Sequence, residues 1–248
     1  MKESVSSTEN NWIKRDEEGI FRIAVDGPAG AGKSTIARMV AHRLGFIYVD
    51  TGAMYRAVAL FCIQKGIRTE DKEAVEQAVG EAHITICHKN GMQQVLLNGQ
   101  DVSGEIRTEE VGNAASAVSA YPAVRAHLLN LQRNLAKEHS VIMDGRDIGT
   151  CVLPDAEAKV FLTASSHVRA IRRYKELKEK GIMCNLEEIE QDIIERDRRD
   201  MNREASPLVQ AADAVLLDSS EMDINQVISS IIQVAVSRGL PIDPSVWR

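Results

Sequence analysis

"FRIAVDGPAGAGKSTIARMVAHRLG", residues 21–45, is the stretch whose reading decides the fold of this chain. Its first part, "FRIAVD" at 21–26, is a short apolar run with no polar alternation after Arg22, the pattern of a parallel strand buried on both faces. Its last part places Ile36, Met39, Val40 and Leu44 at helical spacing and stops at Gly45, a plausible cap position. Between them, "DGPAGAGKST" at 26–35 fits the phosphate-loop spacing G-x-x-x-x-G-K-[ST] from Gly27 to Ser34. Gly27, Pro28, Ala29, Gly30, Ala31 and Gly32 leave the backbone bare before Lys33, Ser34 and Thr35, so N–H groups point inward at an anion. A glycine-rich turn that binds nothing is the competing reading, and the strand before it and helix after it weigh against that. In such a loop Lys33 neutralises charge on the β- and γ-phosphates of a nucleotide, and the Ser34 hydroxyl ligates Mg²⁺.

The 248 residues, 44% of them hydrophobic, suffice for one large domain or two modest ones. A formal charge of −6 argues against broad attachment to nucleic acid, so an anionic ligand must meet clustered arginines. Cys62, Cys87, Cys151 and Cys184 are far apart and form no CxxC pair, which points to reduced thiols rather than a zinc site or a disulfide framework. In "HITICH", His83 and Cys87 share one face of a strand and His88 takes the other, so ordinary strand residues are favoured over a metal site. No run reaches the apolar length of a membrane span, and the start of the chain has no signal-peptide core. The expectation is a cytoplasmic monomer with small-molecule partners, no nucleic acid and no membrane.

Residues 1–20 are polar and aperiodic and read as a mobile tail, with a docking role for Trp12; the domain runs from 21 to 248. Apolar runs recur at 46–50, 141–145, 158–164 and 214–220 with helical stretches between them. With the first strand these make five, which predicts an open parallel α/β sheet binding ligands at the strands' carboxyl ends. Residues 66–105 break the rhythm: a helix, then two alternating runs around Asn90-Gly91, a hairpin signal. This small antiparallel insert is either an excursion or a flap over a second substrate. Residues 167–207 contain two charged helices broken at Lys180-Gly181 and closed by Pro207. A charge run is often only a solvated face, yet Arg196, Arg199 and Arg203 recur on one face with Asp200 beside them, and a row of guanidiniums needs an anion.

Loops follow the second and third strands, "DTGAMYRA" with Asp50, Thr51, Tyr55 and Arg56, and "DGRDIGT" with Asp144, Arg146 and Asp147. The segments "DGPAGAGKST", "DTGAMYR", "DVSGEIRTEEVGNAAS", "PAVR", "MDGRDIGT", "ERDRRDMNR" and "PLVQAADAVLLDSS" resemble, in order and spacing, the bacterial cytidylate kinases, a family of nucleoside monophosphate kinases. The resemblance spans about residues 21–235. It implies a P-loop three-layer α/β sandwich with sheet order 2-3-1-4-5, a small antiparallel insert that binds the nucleoside monophosphate, and a helical lid. It implies that Thr51, Arg56, Arg146 and Arg196 surround the acceptor monophosphate, that Asp200 and Arg203 lie near its ribose and base, that Ser116, Arg125 and Asp147 face the cytosine, and that Tyr55 belongs to the same CMP site. Some family members carry serine where this chain has Thr51, and the hydroxyl is retained.

Cytosine offers an amino donor at N4 and acceptors at N3 and O2, which suits acceptors on Asp147 and Ser116 and a donor on Arg125. The reaction so implied is γ-phosphoryl transfer from ATP, with Mg²⁺, to CMP and dCMP, a step of pyrimidine nucleotide metabolism. The attacking phosphate oxygen is already anionic, so alignment and charge stabilisation replace a general base. Asp144 either holds a magnesium-bound water or caps the turn that follows it. Arg172 and Arg173, at the start of the lid, are placed to reach the transferring phosphoryl. Rival readings are a P-loop kinase for UMP, AMP or shikimate, and a nucleotide switch, for which no NKxD or LSGGQ segment exists.

Overall fold

The computed structural model describes residues 19–89 and 92–241. The tail with Trp12 therefore lies, through residue 18, outside the described residues, and so does the Asn90-Gly91 turn.

Five parallel strands form the main sheet: β1 (Arg22–Asp26), β2 (Ile47–Asp50), β6 (Val141–Gly145), β7 (Ala158–Thr163) and β8 (Val215–Asp218). Their spatial order is β2-β6-β1-β7-β8, which is 2-3-1-4-5 when these five are counted along the chain. β1 is central, pairing Asp26 with Gly145 on one side and with Phe161 on the other. Its apolar run has a simple cause: Ile23 and Val25 pack beneath α1 (Lys33–Leu44) and α8 (Ile224–Ser237), while Ala24 packs against the opposite layer. That second layer comprises α2 (Thr51–Gln64), α4 (Glu109–Val118) and α5 (Pro122–Glu138). A sheet covered on both faces needs apolar side chains at successive positions, not alternate ones.

In α1 the buried apolar positions are Ile36, Ala37, Val40, Ala41 and Leu44. Met39 is turned outward, a correction to the core stripe read from spacing alone, since two alanines complete that stripe. Gly45 caps the helix at φ +64°, as its position suggests.

The insert contains α3 (Lys72–Ala78) and an antiparallel sheet of β3 (Ile84–Lys89), β4 (Met92–Leu97) and β5 (Gln100–Asp101). The third strand was not anticipated. It follows Asn98-Gly99, where both residues have positive φ, the backbone of a tight hairpin turn. The insert docks on the free edge of β2 through side chains. Gln93 accepts from Asp50 N at 2.8 Å and donates to Asp50 O at 3.2 Å, and His88 Nε2 lies 2.9 Å from Tyr48 O. A side-chain amide thus takes the place of a neighbouring strand at an otherwise unpaired edge.

The charged segment is two packed helices, α6 (Ser166–Glu179) and α7 (Leu186–Asn202), turning at Gly181 with φ +72°. α7 ends at Asn202, so Arg203 is extended rather than helical, and it does not continue the arginine face as its spacing suggested.

Candidate active site

The phosphate loop is held open by contacts that only glycine permits. A Cβ on Gly27 would lie 1.9 Å from the Leu162 carbonyl oxygen, so the loop leaves β1 flat against the backbone of β7. Gly30 and Gly32 have φ of +74° and +85°, and Gly32 caps α1. No acidic residue stands in the first turn of α1, which leaves the positive end of the helix bare for an anion. Lys33 is buried and donates to Pro28 O at 2.8 Å. Burial pushes its pKa below the ordinary lysine range, and the Arg146 charge pushes the same way. An ammonium in that position gains from a negative partner.

Beyond the loop, Asp144 at the end of β6 is buried and accepts two hydrogen bonds, from Ser34 Oγ at 2.9 Å and from Tyr48 Oη at 2.9 Å. Among the described residues, no hydrogen bond to the Asp144 carboxylate caps the turn that follows it. The turn is instead held by Asp26, whose carboxylate accepts from Ile148 N at 2.8 Å and Gly149 N at 2.7 Å. Desolvation raises the Asp26 pKa to about 6 despite those two amides. The backbone between Asp144 and Ile148 carries Arg146 and Asp147.

Three arginines from three elements act on one another in this corner. Arg56 of α2 donates to Ile106 O at 3.3 Å and packs against Gly112 of α4, where a Cβ would lie 3.0 Å from Nη1. Arg146 Nε donates to Asp200 Oδ2 at 2.8 Å. Arg196 is half-buried, and its Nε has no hydrogen-bond partner among the described residues. Burial lowers the pKa of Arg56, with the charges of Arg107, Arg146 and Arg173 adding to the effect against Asp50. Burial likewise takes Arg196 to about 10, with Arg146 and Arg56 lowering it and Asp200 opposing them. Guanidiniums do not deprotonate near neutral pH, so mutual repulsion of this kind marks a place for an anion.

A second group lies beside it. The Arg125 guanidinium donates to Asp147 and lies 5.3 Å from the centre of the buried Tyr55 ring. Arg125 Nη1 also donates to Ser119 O at 2.9 Å, and Arg203 Nη2 lies 3.7 Å from Asp147 Oδ1. Ser116, Arg199, Asp200 and Arg203 line a cavity of about 550 Å³ between α4 and the end of α7.

Other expected residues are placed differently. Thr51 donates its hydroxyl to Asp144 O at 2.8 Å. Arg172 does not join the cluster: it donates to Ser219 O at 2.7 Å and Ser219 Oγ at 3.2 Å, in the residue that follows β8. Arg173 pairs with Glu176 at 3.0 Å on the surface, though its charge reaches Arg56. Thr35 is exposed at the start of α1.

Several contacts were not legible beforehand. Arg169 of α6 is buried, donates to Ala29 O in the phosphate loop at 2.8 Å and pairs with Asp197 of α7 at 2.7 Å. Arg107 pairs with Asp50 at 3.0 Å. Tyr48, Asp26 and Ser119 complete the set. Asp26, Asp50, Arg107 and Asp197 stand within the segments quoted above, but their spacing announces none of these contacts; each is defined by its partner across the fold.

The family profile described as cytidylate kinase matches residues 23–237. A cytidylate kinase from Lactobacillus gasseri is 48% identical over 215 residues, covering 87% of this chain and 94% of that protein. One from Alkaliphilus metalliredigens is 48% identical over 213 residues, covering 86% and 95%. Among solved structures, an uncharacterized protein from Eubacterium ventriosum aligns with a TM-score of 0.50 at 12% identity over 88% of this chain and 99% of that one, a likeness of fold alone. The profile's span contains the phosphate loop, the arginine cluster and the Arg125–Asp147 pair together, and with identities near one half across it this chain is a member of the cytidylate kinase family.

Proposed function

We propose that this enzyme transfers the γ-phosphoryl group of ATP to CMP, and to dCMP, giving ADP and CDP or dCDP. The observation that carries the assignment is the convergence of Arg56, Arg146 and Arg196 on one corner beside the Arg125–Asp147 pair, with too little acid between them to balance the charge. A nucleotide monophosphate answers both halves: its phosphate suits the arginines and its base suits the pair.

ATP is held by the backbone of Gly27, Pro28, Ala29, Gly30, Ala31 and Gly32, by Lys33 and by the start of α1 at Ser34 and Thr35. Ser34 Oγ and Asp144 are hard oxygen donors joined by a 2.9 Å hydrogen bond, a set that fits a Mg²⁺ ion keeping several of its waters, with Asp144 acting through one of them. When bound, the ion withdraws charge from the β- and γ-phosphate oxygens.

The acceptor phosphate is oriented by Thr51, Arg56, Arg146 and Arg196, with Tyr55 behind them. Its oxygen attacks in line, and Lys33 and the arginines stabilise the charge on the equatorial oxygens. Arg173 is the lid residue suited to the transferring group; Arg172 would first leave Ser219. Asp147 and Ser116 accept from cytosine N4, Arg125 donates to N3 and O2, and Asp200 and Arg203 take the ribose. Uracil would set an oxygen against the Asp147 carboxylate, a mismatch that can reach ~10⁴-fold in a buried site.

Water is the competing acceptor, so the insert (66–105) closes over CMP and the lid (167–207) over ATP before transfer. Hydrogen exchange with a bisubstrate inhibitor is expected to slow in both segments. The enzyme acts as a monomer in cytoplasmic pyrimidine nucleotide metabolism.

The deciding measurement is ADP release with MgATP and each of CMP, dCMP, UMP, AMP, GMP and shikimate, beside a control without acceptor. Fast release restricted to CMP and dCMP is expected. Release without an acceptor, or with shikimate in preference, would overturn the assignment.

A further inference from the structure

Tyr48 lies within β2, a strand of the parallel sheet where an apolar side chain would serve packing as well. Its ring belongs to the core beneath α1, with the Arg38 guanidinium 5.5 Å from the ring centre. Its hydroxyl, however, donates to Asp144 Oδ1 at 2.9 Å, while Ser34 Oγ donates to Oδ2 at 2.9 Å. Both oxygens of one buried carboxylate are therefore held, by donors from two different elements. The backbone of the same residue is also fixed, since Tyr48 O meets His88 Nε2 of the insert at 2.9 Å.

We propose that Tyr48 is a positioning residue for the ATP half of the site: by holding Asp144 Oδ1 it keeps Oδ2 turned to the Ser34 hydroxyl, the orientation suited to hydrated Mg²⁺. The proposal rests on the metal role given above to Ser34 and Asp144, and not on the identity of the acceptor. The terminal torsion of an aspartate is broad and two-fold, so a carboxylate with one oxygen released has no fixed direction. The released oxygen would also remain in an apolar interior without a donor. Hydrogen bonds behind a metal-binding carboxylate set both its orientation and its basicity.

Tyr48→Phe removes only the oxygen. ADP binding is measured by titration calorimetry with Mn²⁺ present and again in EDTA, and turnover is titrated with Mg²⁺ at saturating ATP and CMP. The expected result is a roughly tenfold loss of metal-dependent ADP affinity with unchanged affinity in EDTA. The Mg²⁺ concentration for half-maximal turnover rises in step, and the KM for CMP stays as in the parent. Unchanged Mn²⁺-dependent binding would overturn the proposal, and so would an equal loss with and without metal, which is the mark of a packing role. Tyr48→Leu, a second apolar filler, is read by the same two titrations and keeps the test decisive if the phenylalanine disturbs the strand. Metal-dependent ADP binding makes no use of CMP, so an enzyme inert toward CMP with the binding difference intact would remove the acceptor assignment and leave this one standing.

Discussion

Arg146 Nε donates to Asp200 Oδ2 at 2.8 Å, and this bond joins the loop after β6 to the last turn of α7. One partner follows a strand of the central sheet and the other belongs to the helix pair α6 and α7. Burial opposes the charge on Asp200, yet Arg146, Arg196 and Arg203 together hold its pKa below the usual carboxylate range. The carboxylate is thus the main counter-charge to a crowd of guanidiniums.

Removing it should expose that crowd. Asp200→Ala is expected to lower the unfolding free energy by about 3 kcal/mol, the cost of stranding a partly buried charge. Added phosphate should restore part of the loss, because an anion bound only by the folded state stabilises it. Urea unfolding with and without phosphate checks this; a variant indifferent to phosphate would show that no anion enters the cluster.

Asp147→Ala tests the reading of the base. It is expected to reduce the ratio of kcat/KM for CMP over UMP by at least about tenfold, since the group that rejects the uracil oxygen is gone. Steady-state kinetics on both substrates measure it, and an unchanged ratio would place base selection elsewhere.

Gly112→Ala separates stability from binding. Alanine in a helix interior gains about 0.5–1 kcal/mol over glycine. Its Cβ, however, would crowd Arg56 Nη1 at 3.0 Å and push the guanidinium from its place against α4. The expected outcome is a thermal midpoint equal to or above that of the parent, together with a several-fold higher KM for CMP, a small loss of charge-assisted binding.

Asp26 should leave a signature in the pH dependence of stability. Its folded pKa of about 6 lies above its ordinary 3.8, so between these values the folded state binds more protons than the unfolded one. Stability from this group is therefore fully present at the acid end and is lost as pH rises through about 6, by up to ~3 kcal/mol. Asp26→Asn removes that slope. Denaturant unfolding of both proteins from pH 4.5 to 7.5 (roughly the window set by the shift) reads it as a difference that widens toward neutral pH; parallel curves would mean that burial does not raise the Asp26 pKa.

Much of the architecture is written in local patterns. The apolar runs of β1 and β6, the glycines around Lys33 and the αL cap at Gly45 depend on a few neighbouring residues, and each is found where its pattern stands. Where a pattern was incomplete, the reading slipped. Asn98-Gly99 carries a hairpin signal like that of Asn90-Gly91, but the strand after it has only two residues. Arg203 continued a helical face in spacing, yet α7 ends before it and the side chain turns back toward Asp147.

The sequence by itself determined the phosphate loop and the α/β sheet, because glycine conformations and apolar periodicity are short-range properties, while the residues proposed for the acceptor site are those the family resemblance implies. Only the tertiary structure decided which charges meet. Arg172 went to Ser219, Arg169 to the phosphate loop and Asp197, Asp26 to the amides of Ile148 and Gly149, and Tyr48 to Asp144. Burial makes an unpaired polar group costly, so each of these side chains takes the partner that packing brings within reach, however distant along the chain.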